Sequence, residues 1–340
     1  MIHALIDLLF FSAKFFIVIL LLLLFLAGVL SLIMRSREKP QGTIHIKHLN
    51  QKFDDMRHQL QSFILSQDEY KKQCKTDKKA AKQREKNHII DQRKKIYILD
   101  FQGDIKGSAV NALREEITAI LSAATPRDEV MIKIESGGGM VHAYGLATSQ
   151  LLRIREKNIP LTVIIDKIAA SGGYLMSSVA NQIIAAPFAL IGSIGVILQL
   201  PNFHRLLKEK HVDFEQITAG NYKRTLTVFG ENTKEGRDKM KQELEIIHQQ
   251  FKQVVQDYRP HIDIEKVSTG EHWSGAEAQK LNLVDKLQTS DEWIYSRAND
   301  AELFEIHYQI RKSLGEKLFS SVKSAKAAFI KTWDARIPWI

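Results

Sequence analysis

Ser171 is followed at once by Gly172 and Gly173, and it comes shortly after the apolar, β-branched run Thr162 to Ile165. Small residues and glycine permit a sharp strand-to-helix turn, and the first N–H groups of the helix beyond it have no intrahelical partners. A serine at such a turn holds its hydroxyl beside unpaired amide donors, which is what a nucleophile and an oxyanion hole require. The same serine would also serve as an ordinary helix N-cap, so this stretch alone leaves both roles open. A second feature is Gly137-Gly138-Gly139, just past the apolar run Val130 to Ile134. Bare backbone there can offer N–H groups to developing negative charge. A plain tight turn is the alternative, although three consecutive glycines in a core loop cost conformational entropy. Acyl transfer also needs a base. His142 reads as a helix-surface residue, and His204 and His211 flank a helix predicted at 202–211. Lys223, in Thr-Ala-Gly-Asn-Tyr-Lys-Arg, follows a predicted strand at 214–217 and a glycine-containing turn. A lysine takes a proton from serine only in its neutral form, which burial or neighbouring positive charge favours; Arg224 stands next to it.

The elements that must position these residues alternate along the chain. Residues 96–101, 130–134, 161–165 and 182–185 read as strands, and 108–124 and 141–157 as helices, with Leu113, Ile117, Ile120 and Leu121 on one helical face. Repeated strand–helix units with continuously apolar strands predict an α/β core with parallel pairing and helices on both faces. Residues 183–200 carry no charge, yet Pro187, Gly192 and Gly195 interrupt them, so two short buried strands are expected rather than a membrane span. Residues 233–258 form an amphipathic helix in which Met240, Leu244, Ile247, Phe251, Val254 and Val255 recur at three and four.

With 340 residues and 44% apolar content, the chain can bury one large core. Its formal charge of +9 is concentrated. Residues 71–95 hold eleven Lys or Arg against Asp77, Glu85 and Asp91, so the remainder is close to neutral and a globally basic nucleic-acid binder is excluded. The single cysteine, Cys74, rules out an intrachain disulfide and a cysteine-based zinc site. Residues 15–34 are apolar and uncharged, long enough for an uncleaved membrane anchor. Residues 50–95 read as one long polar helix, a solvated spacer whose lysine-rich half would be attracted to anionic lipid. The tail from Arg311 is basic, with Leu318, Phe319, Phe329, Ile330 and Trp333 among its lysines, and suits an interfacial helix or a subunit contact.

Several ordered blocks resemble the signal peptide peptidase A (protease IV) family of serine peptidases. They are Ser136-Gly-Gly-Gly, the Asp-x-x-Ala-Ala-Ser-Gly-Gly-Tyr block at 166–174, Gly-Ser-Ile-Gly-Val at 192–196, Lys223, Gly-Glu-His-Trp-Ser-Gly-x-x-Ala at 270–278, and Leu-Val-Asp at 283–285. The resemblance runs from about Ile96 to Asp285 and implies a Clp-protease/crotonase-like α/β superhelix. It implies Ser171 as nucleophile, Lys223 as general base, Ser193 as the hydroxyl orienting the lysine, and Gly138 with Gly172 as oxyanion-hole donors, with no metal or cofactor. Two positions depart from the family pattern: Gly137 replaces a proline, and Asn282 replaces a glycine but tolerates the left-handed cap expected there.

The layout that follows is an anchor at 1–34, a basic juxtamembrane region at 35–95, a catalytic domain at 96–290 and a basic tail at 291–340. The implied protein is an inner-membrane serine endopeptidase with a Ser–Lys dyad, its catalytic domain periplasmic, acting on membrane-proximal peptides such as signal-peptide remnants. Its partners would be peptide or protein substrate, membrane lipid and further copies of itself. The resemblance implies a closed ring of catalytic domains in which neighbouring protomers can supply Ser and Lys, so the Lys223 amine is expected out of reach of Ser171 in the same chain. The rivals are an inactive scaffold of the same fold and a crotonase-type acyl-thioester enzyme; retention of Ser171, Ser193 and Lys223 together speaks against both.

Overall fold

The computed structural model describes residues 2–35, 42–86 and 93–310. Ile44–Tyr308 forms one compact unit, and helix α1 (Ile2–Arg35) belongs to another. The expected anchor at 15–34 lies within α1, with Phe15 to Leu26 exposed. The side chains of 29, 30 and 32–34 fall outside the described ones, and among the described residues no helix is long and apolar enough to cross a membrane.

The large unit is a mixed α/β body on a largely parallel sheet. Its strands are β1 (Gly42–His48), β2 (Lys94–Gly103), β3 (Glu129–Ser136), β4 (Leu161–Ile165), β5 (Ile168–Ala170), β6 (Gln182–Ala185), β7 (Leu190–Gly192), β8 (His272–Ser274), β9 (Lys286–Leu287) and β10 (Ala301–Ile310). The main order is β1-β10-β2-β3-β4-β6-β9. A short second path leaves β3 through β5 to β7, both pairings parallel, and ends on β8, which pairs antiparallel to β7. Strands β2, β3, β4 and β6 read as near-continuous apolar runs because both of their faces are covered. On one face Leu99, Phe101, Ile132, Ile134 and Val163 pack with Leu113 and Ile117 of α4 (Val110–Ala123) and Leu151 of α5 (Val141–Glu156). On the other, Ile98, Met131, Ile164 and Ile184 pack with Trp293 of α11 (Ser290–Arg297). Helix α6 (Gly172–Ser178) follows β5, α7 (His204–Glu209) and α8 (Lys234–Tyr258) follow β7, and α9 (Ile264–Val267) and α10 (Gly275–Lys280) flank β8 in sequence.

Several sequence expectations change. The polar stretch after residue 50 is not one helix: α2 (Leu49–Ile64) and α3 (Gln67–Lys86) are separated at Leu65, whose ψ is 153°. Ser66 and Glu69 cap the second helix reciprocally, the Glu69 carboxylate accepting from the Ser66 N–H and the Ser66 hydroxyl from the Glu69 N–H. Residues 87–92, the end of the expected spacer, lie outside the described residues. The uncharged run 183–200, by contrast, holds the two short strands expected there, the end of β6 and β7. Gly192 (φ 110°) and Ser193 (φ 52°) turn the chain out of the sheet before a further strand can form. No strand forms at 214–217; Phe214 and Ile217 are exposed and have no neighbouring ladder to join.

At the C-terminal end, α11 and β10 belong to the body rather than to a tail, and β10 lies beside β2 with Ala301 opposite Lys94. Residues 44–50 are drawn in likewise: His48 Nε2 lies 2.7 Å from Glu302, and Asn50 accepts from the Leu303 N–H at 2.8 Å. The basic tail expected from Arg311 onward lies outside the described residues.

Candidate active site

Strand β5 ends at Ala170 and α6 begins at Gly172, so Ser171 is the entire connection between them. Its backbone has φ 50° and ψ −120°, a conformation that costs a non-glycine residue energy and that its surroundings must impose. They do so from both sides. The Ser171 N–H donates to the Gly192 carbonyl at 2.8 Å, and the Ser171 carbonyl accepts from the Leu175 N–H at 2.9 Å. The hydroxyl makes no capping bond to α6, so Ser171 is not an ordinary N-cap. It is half-buried and lines a cavity of about 250 Å³.

The glycines around it are required by close approach. A Cβ on Gly172 would lie 2.5 Å from Tyr144 Cγ, and one on Gly173 would lie 2.6 Å from the Ser136 carbonyl oxygen. Gly138 (φ 91°) presses its α-carbon against the turn: a Cβ there would sit 2.7 Å from the Ser171 Cβ and 2.8 Å from the Gly172 nitrogen. The triplet after β3 and the turn after β5 are thus brought together, as β3–β5 pairing at Ser136 and Ala169 requires. The Gly138 N–H donates to Ser136 Oγ at 3.1 Å. Gly139, next in the triplet, lines the cavity with Ser171 and Gly172. A Cβ on Gly139 would collide with the Ile105 carbonyl, to which the Met140 N–H is bonded at 2.8 Å.

The rest of the cavity wall is apolar. Val141, Tyr144 and Leu175 form one side, Val196 and Ile197 another, and Ile247, Phe251 and Val254 of α8 a third. Tyr144 is fully buried, and burial, with Asp104 nearby, pushes its phenol above the ordinary tyrosine range despite the opposing Ser136 hydrogen bond. At the far end of α8, Arg259 pairs with Asp285 at 2.6 Å, fixing this wall to the sheet, because Asp285 also accepts from the Ile183 N–H.

Ser193 follows the carbonyl that receives the Ser171 N–H, and its own N–H donates to the Glu271 carbonyl at 2.6 Å. The structure therefore gathers Ser171, Gly172, Gly138 and the Ser193 turn. It does not gather Lys223. That residue is exposed on the segment between β7 and α8 and is not among those lining the cavity, and among the described residues no hydrogen bond joins it to Ser171. Neither Gly139 nor Tyr144 was singled out by the sequence reading. Gly139 belonged to a triplet already noticed, whereas nothing in the local pattern marked Tyr144 apart from any aromatic on a buried helix face. Among the described residues no cluster of His, Cys, Asp or Glu could hold a metal ion.

Comparison with known proteins decides the family. Residues 3–151 match the model described as peptidase family S49 N-terminal, and residues 153–303 match peptidase family S49. A probable protease SohB from Haemophilus influenzae is 46% identical over 326 residues, covering 92% of either chain. The chain belongs to peptidase family S49. A probable protease SohB from Buchnera aphidicola subsp. Schlechtendalia chinensis is 49% identical over 275 residues, 78% of this chain and 90% of that one. Protease 4 of Salmonella typhi is more distant, 26% identical over 62% of this chain and 35% of its own length. Membership of S49 makes the chain a peptidase, and the family resemblance expected from its blocks holds. The S49 match continues to residue 303, into β10, in agreement with the extent of the folded body.

Proposed function

We propose that this S49 member is a membrane-anchored serine endopeptidase with a Ser–Lys dyad on a Clp-protease/crotonase-like body. Ser171 Oγ attacks the scissile carbonyl while Lys223, neutral, takes its proton. The carbonyl oxygen, now negative, is held by N–H groups at the turn, and collapse expels the amine with a proton to leave an acyl-serine that water hydrolyses. Gly172 is one donor. Because the Gly138 N–H is engaged by Ser136, we assign the second donor to Gly139, a change from the Gly138 assignment that the resemblance implied. Ser193, one residue past the carbonyl that anchors Ser171, orients the lysine amine.

What carries this reading is the turn at Ser171: a serine at positive φ, its hydroxyl unused as a cap, facing an apolar cavity bordered by glycine backbone. An apolar cavity wall suits an apolar residue next to the scissile bond. The exposure of Lys223 supports a dyad completed by a neighbouring copy in a homo-oligomer. The uncharged run 15–34 supports anchoring in the inner membrane, with membrane lipid beside the basic helix and substrates presented near the bilayer on the periplasmic side. Labelling with a fluorophosphonate probe tests the centre of the reading: wild-type protein should be labelled and Ser171→Ala should not. Equal labelling of both would remove Ser171 from the role. Protease accessibility in spheroplasts tests the membrane side, since a periplasmic body should be digested without lysis.

A further inference from the structure

The glycine triplet is held in place by a side chain that has no part in the proton transfers. Tyr144, on the first turn of α5, is fully buried, and its ring fills the space under Gly172 while lining the cavity at Ser171. Its hydroxyl lies 2.8 Å from the Asp104 carbonyl and 2.6 Å from Ser136 Oγ. Ser136 Oγ in turn accepts from the Gly138 N–H at 3.1 Å and lies 3.3 Å from the Gly103 carbonyl.

Counting protons fixes the direction of this network. A carbonyl only accepts, so the single Tyr144 proton is given to Asp104. The 2.6 Å contact between the two hydroxyls then needs the Ser136 proton, which goes to Tyr144 rather than to the longer Gly103 contact. That leaves a Ser136 lone pair for the Gly138 N–H. The donors run one way, from Gly138 through Ser136 and Tyr144 to Asp104. The receiving end is rigid: the Asp104 carboxylate accepts from the Ser108 N–H at 2.8 Å and its hydroxyl at 2.9 Å, and the Ile105 carbonyl accepts from Met140 just past the triplet.

We infer that Tyr144 is a positioning residue for the proposed reaction, its hydroxyl holding Ser136 so that the Gly138 N–H is committed and the Gly139 N–H is the one presented beside Ser171. The peptide unit before Gly138 has two orientations open to it, because glycine accepts either sign of φ. The hydroxyl relay selects one. Without it the triplet samples both, and the donor spends less time aimed at the developing oxyanion, an effect felt in the transition state more than in substrate binding.

This inference rests on Ser171 being the nucleophile, and the test separates the two. In the full-length protein, Tyr144→Phe keeps the ring and deletes the relay, and Ser136→Ala deletes it one link earlier. With a fluorogenic peptide carrying an apolar residue before the scissile bond, each variant should lose kcat by roughly tenfold to a hundredfold, with KM changed by less than about twofold. The double variant should lose no more than the worse single, because one chain has been cut twice. The melting temperature of Tyr144→Phe should stay near that of the wild type. Wild-type kcat in either single variant, multiplicative losses in the double, or a loss confined to KM would overturn the positioning role. A wild-type protein whose hydrolysis survives Ser171→Ala would instead overturn the nucleophile assignment, and the inference with it.

Discussion

The turn at Ser171 and the segment that carries Lys223 lie about fifty residues apart and are built on opposite principles. Around Ser171, backbone from three places closes on one residue, with Gly192 binding its N–H, Leu175 its carbonyl and Gly138 abutting its Cβ, while the Tyr144 ring lies under the next residue. Lys223 lies on a segment with one short helix, α7, and with Val212, Ile217 and Tyr222 exposed. What order that segment has is local, such as Phe214 against Phe229 at 5.8 Å and Asn202 donating to the Thr227 carbonyl at 2.9 Å. The contrast teaches which half of a hydrolytic site must be fixed before the reaction. Donors that stabilise a developing charge act by being preorganised, so they belong to the core. A base needs only to arrive within hydrogen-bond reach, so a mobile segment or a second chain can deliver it.

The largest effect should come from the rigid half. Ser171→Ala should lower peptide hydrolysis on the order of 10⁴-fold or more while leaving the melting temperature nearly unchanged, since one oxygen is lost from a half-buried site. Retained turnover in the purified variant would break the comparison at its first term. Lys223→Ala should cost somewhat less, on the order of 10³-fold, and Lys223→Arg should not restore activity, because a guanidinium does not act as a base near neutral pH. If the lysine comes from a neighbouring copy, mixing inactive Ser171→Ala with inactive Lys223→Ala protein should regain part of the wild-type rate. A monomer fully active at high dilution would show instead that the segment closes on its own serine.

A third variant probes the wall that the core supplies. Burial pushes Asp285 upward, but the Arg259 hydrogen bonds, the Ile183 N–H and the Arg259 charge outweigh it and hold its carboxyl below the usual range. A folded-state value below the unfolded one means that the stabilisation is present above the ordinary carboxylate range and is lost as pH falls through the folded value. Arg259→Met should therefore cost about 1 kcal/mol of unfolding free energy at neutral pH, because the Asp285 carboxylate it leaves behind is partly exposed and screened by solvent. The gap from wild type should narrow below about pH 4, as the unfolded carboxylate protonates. A pH-independent gap would assign the loss to packing alone. The smallest effect belongs to the exposed segment: Ile217→Ser, at a residue 94% exposed, should change stability by less than about 0.5 kcal/mol. It should nevertheless weaken the activity regained on mixing if this segment meets a second copy.

The strand–helix alternation, the helix over α8 and the Ser-Gly-Gly turn were legible because each is written in local periodicity or in residues that only one kind of backbone tolerates. Asn282 shows the same: its expected left-handed cap is present, at φ 62°. Strand β1 and the outer position of β10 were not legible, because GTIHIKH and AELFEIHYQI become strands by pairing with residues far away in sequence. Residues 214–217 failed in the opposite sense, having strand-like composition but no ladder to join. The sequence alone thus determined the residue types of the site and the order in which they occur, since glycine at a tight turn and serine between strand and helix are local requirements. Only the tertiary structure decided that Gly139 faces the cavity while Gly138 is bound to Ser136, that Tyr144 supports both, and that Lys223 stands apart. Those facts depend on which distant backbones approach within hydrogen-bonding distance, and no local pattern encodes that.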